Sequence, residues 1–164
     1  MKGIGIEANK EEAIKYFKMA IDKGDATAMF NYAYFLFYNH DKEEEKEEAI
    51  KYFKMAIDKG NDNAMVTYAF ILKNGDGVQQ NIEESIKYYK MAIDKGDSIA
   101  MYNYAMMLQD GDGIPCDKKE AVKYYKMAIE KGNSDAMNNY AMMLEDGDGI
   151  PVNKEEARKY YQMA

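Results

Sequence analysis

The residues of this chain best suited to chemistry are the aspartates of a motif that occurs twice, Asp110-Gly-Asp112-Gly113 and Asp146-Gly-Asp148-Gly149. Alternating carboxylates of this kind open the calcium loop of an EF-hand, which needs oxygen ligands at positions 1, 3 and 5 and a bidentate glutamate at position 12. Counted from Asp110, position 5 is Ile114 and position 12 is Ala121, so the ligand set fails. The motif reads instead as a glycine turn whose aspartates cap and stay solvated. His40 is the sole histidine. It could titrate near neutrality, but no second histidine or cysteine stands near it to share a metal, and it reads as a surface loop residue. Cys116 would react if exposed; since Val152 fills its place in the second copy of the motif, it reads as a plain small residue. The carboxylate pairs Glu11 with Glu12 and Glu155 with Glu156 have no second pair to oppose them across a cleft. Nothing assembles a nucleophile, a base and an oxyanion site. The expectation is a chain that is not an enzyme and carries no metal or cofactor.

Composition narrows the partners. The formal net charge is −7 and the pI about 4.9. No basic stripe is available to neutralise phosphates, which argues against nucleic acid and anionic membrane. The longest apolar run, Tyr32 to Tyr38, is far short of a membrane span, and no signal peptide precedes it. A single cysteine cannot form an internal disulfide and points to a reducing, cytoplasmic setting.

The elements that must position these residues follow from one decapeptide. It reads KYFKMAIDKG from Lys15 and Lys51, KYYKMAIDKG from Lys87, KYYKMAIEKG from Lys123, and KYYQMA from Lys159 to Ala164, so that every step is 36 residues. A fixed period between about 20 and 50 residues marks a stacked solenoid. Each period holds two helical patterns. Helix A is clearest at Ser98–Gln109, where Ala100, Met101, Tyr104, Ala105, Met107 and Leu108 form an apolar stripe with helical spacing. Asp97 or Ser98 caps its start and Gly111 ends it. Helix B covers roughly Asp117–Lys131. Asn9, Asn81, Asp117 and Asn153 are equivalent N-capping positions, and Lys131 with Gly132 closes the helix. Ala33, Ala69, Ala105 and Ala141 on helix A, and Ala20, Ala56, Ala92, Ala128 and Ala164 on helix B, let helix axes approach closely. The recurring Met19, Met55, Met91 and Met127 read as core, and the lysines and glutamates of helix B as a solvated outer face. No strand signal is present. In the first interval Asn39, His40, Asp41, Lys42 and Glu43 replace the glycine loop, which predicts a helix B that begins early, through Glu43–Glu48. Gly3, Gly5 and Ile6 align with Gly147, Gly149 and Ile150, so the sequence opens inside a loop and closes at Ala164 within a decapeptide. Because arrays need polar caps at both ends, residues 1–164 read as one solenoid of about four and a half repeats belonging to a longer chain.

The pattern Ala-x-x-x-Tyr-Ala-x-x-Leu, Gly-x-Gly-Ile, Ala-x-x-Tyr-Tyr-x-x-Ala and Lys-Gly resembles the SEL-one-like repeat (SLR) family, a relative of the tetratricopeptide repeat, over essentially the whole chain. The 36-residue period and Gly-x-Gly loop favour it over the 34-residue tetratricopeptide unit. The family usually carries Leu-Gly where this chain has Tyr104-Ala105. The resemblance implies an all-α, right-handed superhelix of antiparallel helix pairs with helix A on the concave face. Family members act as adaptors in membrane-protein degradation, cell-wall synthesis regulation and bacterial signalling, and in some protists the repeats accompany kinase domains. Cysteine-rich members with weak β-lactam hydrolysing activity carry a disulfide in every repeat; this chain lacks them, and nothing carries over. The expected function is a scaffold for a protein or peptide partner. The alternative is a regulatory or oligomerising segment of a multidomain enzyme such as a protein kinase, with intramolecular contacts to its flanking domains.

By similarity to tetratricopeptide geometry, the concave positions run through Thr27, Phe30, Tyr34, Phe37 and Tyr38 in the first repeat and Asn63, Val66, Phe70, Lys73 and Asn74 in the second. They continue through Ile99, Tyr102, Met106, Gln109 and Asp110, then Asp135, Asn138, Met142, Glu145 and Asp146. The series grades from aromatic to acidic, and implies a partner segment with apolar side chains at one end and Lys or Arg at the other. Tyr34 and Phe37 admit a second reading, in which they pack against the extended helix B.

Overall fold

The computed structural model of the chain describes residues 4–39 and 42–164, and among these it has nine α-helices and no strand. The B helices are α1 (Ile4–Ile21), α3 (Glu43–Asp58), α5 (Ile82–Asp94), α7 (Lys118–Glu130) and α9 (Lys154–Met163). The A helices are α2 (Ala26–Asn39), α4 (Asp62–Asn74), α6 (Ser98–Asp110) and α8 (Ser134–Asp146). They fall into two compact units, Met1–Gln80 and Asn81–Ala164. In the first unit α1 packs on α2, α2 on α3 and α3 on α4. In the second, each helix from α5 to α9 packs on the next, most extensively α6 on α7 and α8 on α9. His40, expected on a surface loop, lies outside the described residues.

Local chemistry sets the helix ends. The side chains of Asn61, Asp97 and Asn133 accept hydrogen bonds from the amides of Ala64, Ala100 and Ala136 at the starts of α4, α6 and α8. Asn81, Asp117 and Asn153 do the same for α5, α7 and α9. Each such cap is worth about 1 kcal/mol against alanine. Gly75, Gly111 and Gly147 end the A helices in the left-handed conformation, at φ 72, 70 and 73°, where a side chain would be strained.

Two helix starts bear on the expectations. Without a glycine turn, α3 does begin at Glu43 and runs 16 residues, against 13 for α5 and α7. Asn9, expected at a helix start, stands instead within a helix, because α1 begins at Ile4 and passes through it. Glu7 stands where Pro151 stands in the last loop, so no ring blocks the helix from extending backwards.

The glycine loop holds more than a turn. A side chain on Gly113 would place its Cβ 2.7 Å from Ile82 Cγ1 of α5, and one on Gly77 or Gly149 would likewise come within 3.0 Å of the Lys46 or Lys118 side chain. The intervening aspartates are also engaged. Asp76 pairs with Lys46 at 3.3 Å, and Asp148 with Lys118. The expectation of simply solvated aspartates is therefore corrected: they tie the loop to the helix B about one repeat earlier. Cys116 Sγ donates to Gln109 O at 3.1 Å, as Gln80 Nε2 does to Lys73 O at 2.8 Å. The cysteine thus satisfies a helix-end carbonyl.

The core is a seam of alanines. Ala33, Ala69, Ala105 and Ala141 are fully enclosed, as are Ala56, Ala92 and Ala128. Beside them Tyr32, Tyr68, Tyr104 and Tyr140 are buried. Tyr32, Tyr104 and Tyr140 meet Tyr52, Tyr124 and Tyr160 edge-on, with centroids 4.9–5.0 Å apart. Such pairs contribute about 0.5–1.5 kcal/mol beyond their buried area. Lys18, Lys54, Lys90 and Lys126 lie 5.3–5.9 Å over these four helix A rings. These lysines cover aromatic faces and are not merely solvated. The methionine row is less buried than its recurrence suggested, since Met19 and Met91 are exposed.

Substituting Ala105 with leucine should overpack the seam and cost about 1–3 kcal/mol, whereas Lys51→Ala on exposed α3 surface should stay within about 0.5 kcal/mol. Gly113→Ala should destabilise more than Gly132→Ala, because both glycines have positive φ but only the first meets a neighbour. Denaturant midpoints check both orders, and a reversal of either would contradict the assigned contacts.

Candidate partner-binding face

In the first unit the candidate residues lie on α2, a helix with no charged residue. Phe30, Tyr34 and Tyr38 recur at four-residue spacing along one face. Ring centroids are 6.0 Å apart for Phe30–Tyr34 and 4.5 Å for Tyr34–Tyr38. Phe30 is half-buried, resting 6.1 Å from Phe53, while Tyr34 and Tyr38 are 47% and 48% exposed. Burial, then Tyr34 and Asp76, push the Tyr38 hydroxyl above its usual range. On α4, Phe70 is exposed and the half-buried Lys73 holds its ammonium 5.9 Å over that ring.

Two expected groove residues are in the core instead. Phe37 is 4% exposed; its ring packs on Phe53 at 6.2 Å, with Lys46 of the extended α3 lying 5.6 Å over it. The packing reading is therefore the right one for Phe37, and exposure separates it from Tyr34. Val66 is likewise buried, at 8%.

In the second unit Tyr102, Met106 and Gln109 on α6 are half-buried, and Asp135, Asn138, Met142, Glu145 and Asp146 on α8 are exposed. Gln109 is committed to a polar chain. It accepts from the Tyr125 hydroxyl at 2.7 Å and donates to Asp148 Oδ2 at 3.4 Å. Tyr125 in turn accepts from Asn139 Nδ2 at 3.3 Å. One repeat on, the Tyr161 hydroxyl donates to Glu145 Oε2 at 3.3 Å. At three of the loops the last turn of helix A meets the middle of helix B: Phe37 meets Phe53, Gln109 meets Tyr125, and Glu145 meets Tyr161.

Burial pushes the Tyr125 hydroxyl up to about 12, with the Asn139 hydrogen bond working against it. Tyr102 is raised by burial and then by Asp135, opposed by Asn139, and raised again by Asp110. Lys118 is held above its usual range by its hydrogen bond to Asp148. Reading helix by helix missed Asn139, Tyr125 and the lysine-covered tyrosines. The constant 14-residue spacing of Lys18–Tyr32, Lys54–Tyr68, Lys90–Tyr104 and Lys126–Tyr140 was the signal available. Among the described residues no group of three His, Cys, Asp or Glu could hold a metal ion, and no helix is long and apolar enough to cross a membrane.

Short helical hairpins repeating at 36 residues, with side-chain variation gathered on the A helices, define a repeat protein of the α-solenoid class. A Sel1 repeat family model matches residues 1–25, 26–61, 63–97, 98–133 and 134–164, and the chain belongs to the Sel1 repeat family. No curated protein matches it. Among solved structures it is similar to a protective antigen of uropathogenic Escherichia coli strains displaying an SLR fold, with 27% identity and a TM-score of 0.83. That alignment covers 91% of this chain and 32% of the antigen. A Sel1 repeat protein from Oxalobacter formigenes follows with 25% identity and a TM-score of 0.82, covering 92% of this chain and 61% of that one. Helicobacter pylori cysteine rich protein B shares the fold at 20% identity and a TM-score of 0.59, over 77% of this chain and 90% of that protein. The chain thus spans about a third of the first relative and under two thirds of the second.

The buried tyrosines set an alkaline limit on stability. A hydroxyl whose folded pKa is raised keeps its proton longer in the folded state, so its contribution is complete below the unfolded value and lost as pH rises through the folded one. For Tyr32 and Tyr125 that window runs from 10.0 to about 12. Denaturant midpoints should hold steady up to its lower edge and fall across it, alongside the tyrosinate ultraviolet signal. A midpoint unchanged through the window would show that these hydroxyls ionise without unfolding.

Proposed function

We propose that the chain is a non-catalytic scaffold that binds a protein or peptide partner along its A helices. Sel1 repeat proteins generally mediate protein–protein interaction, and that role comes to this chain with its family. The observation that carries the reading is the contrast within the A helices. The seam positions Ala33, Ala69, Ala105 and Ala141 are invariant and fully enclosed, while Tyr34, Phe70 and Met142, one residue further on, are large, apolar and exposed. Stability gives no reason to keep a large apolar side chain in water at the same point of three repeats. A partner that covers it does, and exposed aromatics are favourable anchors.

Photo-crosslinking amino acids placed at Tyr34 or Met142 in the native cell should yield discrete adducts with a protein. The same group at Lys51 or Lys123, on exposed B-helix surface, should yield none. Adducts from the B-helix sites alone would place the binding surface on the opposite helices and overturn the reading. For a partner so captured, Tyr34→Ala or Phe70→Ala should weaken binding by about tenfold or more.

A further inference from the structure

We propose that the α6–α8 face of the second unit receives a basic amphipathic segment of a partner, with apolar side chains flanked by lysine or arginine. The inference rests on the A helices being the binding helices and goes beyond that reading by fixing the partner's charge.

The two helices lie side by side and run the same way. Near their starts Asn133 Nδ2 donates to Ser98 O at 3.3 Å, and at the other end Gln109 Nε2, in the last turn of α6, donates to Asp148 Oδ2, just past α8, at 3.4 Å. Between these points Tyr102 of α6 feels Asp135 and Asn139 of α8. Their outer rows therefore adjoin as one surface. Its apolar part includes Ile99 and Met142, 52% and 53% exposed, with the half-buried Met106.

The charge on this surface has one sign. Neither α6 nor α8 contains a lysine or arginine. Asp110, Asp135 and Asp146 are exposed and make no ion pair among the described residues. Glu145, also exposed, accepts only the neutral Tyr161 hydroxyl among the described side chains. Lys118, a cation whose charge Asp110 reaches, is already held by Asp148. The other lysines of the unit belong to the B helices and their flanks. An apolar partner bearing carboxylates would meet like charge here, while a cationic one would neutralise groups the fold leaves unpaired. Charge alone would also attract any polycation. The exposed Ile99 and Met142 add the requirement for apolar side chains beside the positive ones.

Three labelled synthetic helical peptides test this against the purified full chain: one of leucine and lysine, one of leucine and glutamate, and one of serine and lysine with the charge of the first. The leucine–lysine peptide should bind saturably and weaken by about tenfold from low to physiological salt. Asp135→Asn combined with Asp146→Asn should weaken it by about tenfold, and Met142→Ser should weaken it comparably. All these positions are exposed, so thermal melting should be unchanged. The glutamate and serine peptides should bind far more weakly. No saturable binding, equal binding by either control peptide, or an unchanged asparagine double variant overturns the proposal. If that happens while crosslinks from position 142 to a cellular protein persist, only the charge assignment fails and the A-helix reading stands. Peptide binding without cellular crosslinks overturns the A-helix reading and, with it, the proposal that rests on it.

Discussion

Two kinds of near-zero clearance, one in the helix seam and one in the glycine loops, govern the arrangement of the rest. One is the alanine seam, where Ala33, Ala69, Ala105 and Ala141 are fully enclosed. The other is the second glycine of the loop, where the backbone of Gly113 comes so near Ile82 that not even a methyl group fits. Close-packed interiors resist even one added methylene, so these contacts fix how far a helix lies from its neighbour. Once the spacing is fixed, the larger groups must interlock around it. Tyrosines meet edge to face, and a lysine ammonium lies over Tyr32, Tyr68, Tyr104 and Tyr140. The loop aspartate then clamps the turn to the helix beneath it through Lys46 or Lys118.

Much of this was legible in the sequence because the same physical problem is solved several times in one chain. Caps, helix ends and the alanine seam recur at one interval, and the missing glycines after Asn39 correctly announce the longer α3. What stayed hidden depends on contacts far apart in sequence. Asn9 has the right side chain for a cap, but α1 already runs through it from Ile4, and a capping residue cannot end what precedes it. Phe37 sits at a helical spacing suited to either face. Its burial follows from Phe53 opposite, an apolar ring with no hydroxyl to satisfy. The aspartates look free until Lys46 and Lys118 are brought beneath them. The acidic and aromatic character of the A-helix faces could be read residue by residue. That the α6 and α8 rows adjoin could not, because it depends on Asn133 and Tyr102 reaching across.

Charge is sorted between the two kinds of helix. In the second unit the lysines stand on the B helices and their flanks, several of them laid over tyrosine rings, and the A helices carry carboxylates alone. Surface ion pairs contribute little individually, so pairing these charges would stabilise the fold only slightly. Leaving them apart keeps a field of one sign on the face that presents exposed Ile99 and Met142.

The pairing between helix A and helix B has a consequence for how such an array can be cut and rejoined. Gln109 serves Tyr125, Glu145 serves Tyr161, and Phe37 serves Phe53, each pair reaching across one glycine loop or its replacement. A recombination break inside that loop would join a phenylalanine-ended helix to one presenting a hydroxyl, leaving a half-buried polar group orphaned at a cost of about 1–3 kcal/mol. A break at the Lys-Gly turn after helix B carries both members of a pair together. Hairpins carrying these three pairs can therefore be duplicated, deleted or transplanted with the pairing intact. The natural module begins at the capping residue of helix A, not at the conspicuous decapeptide from which the period is read.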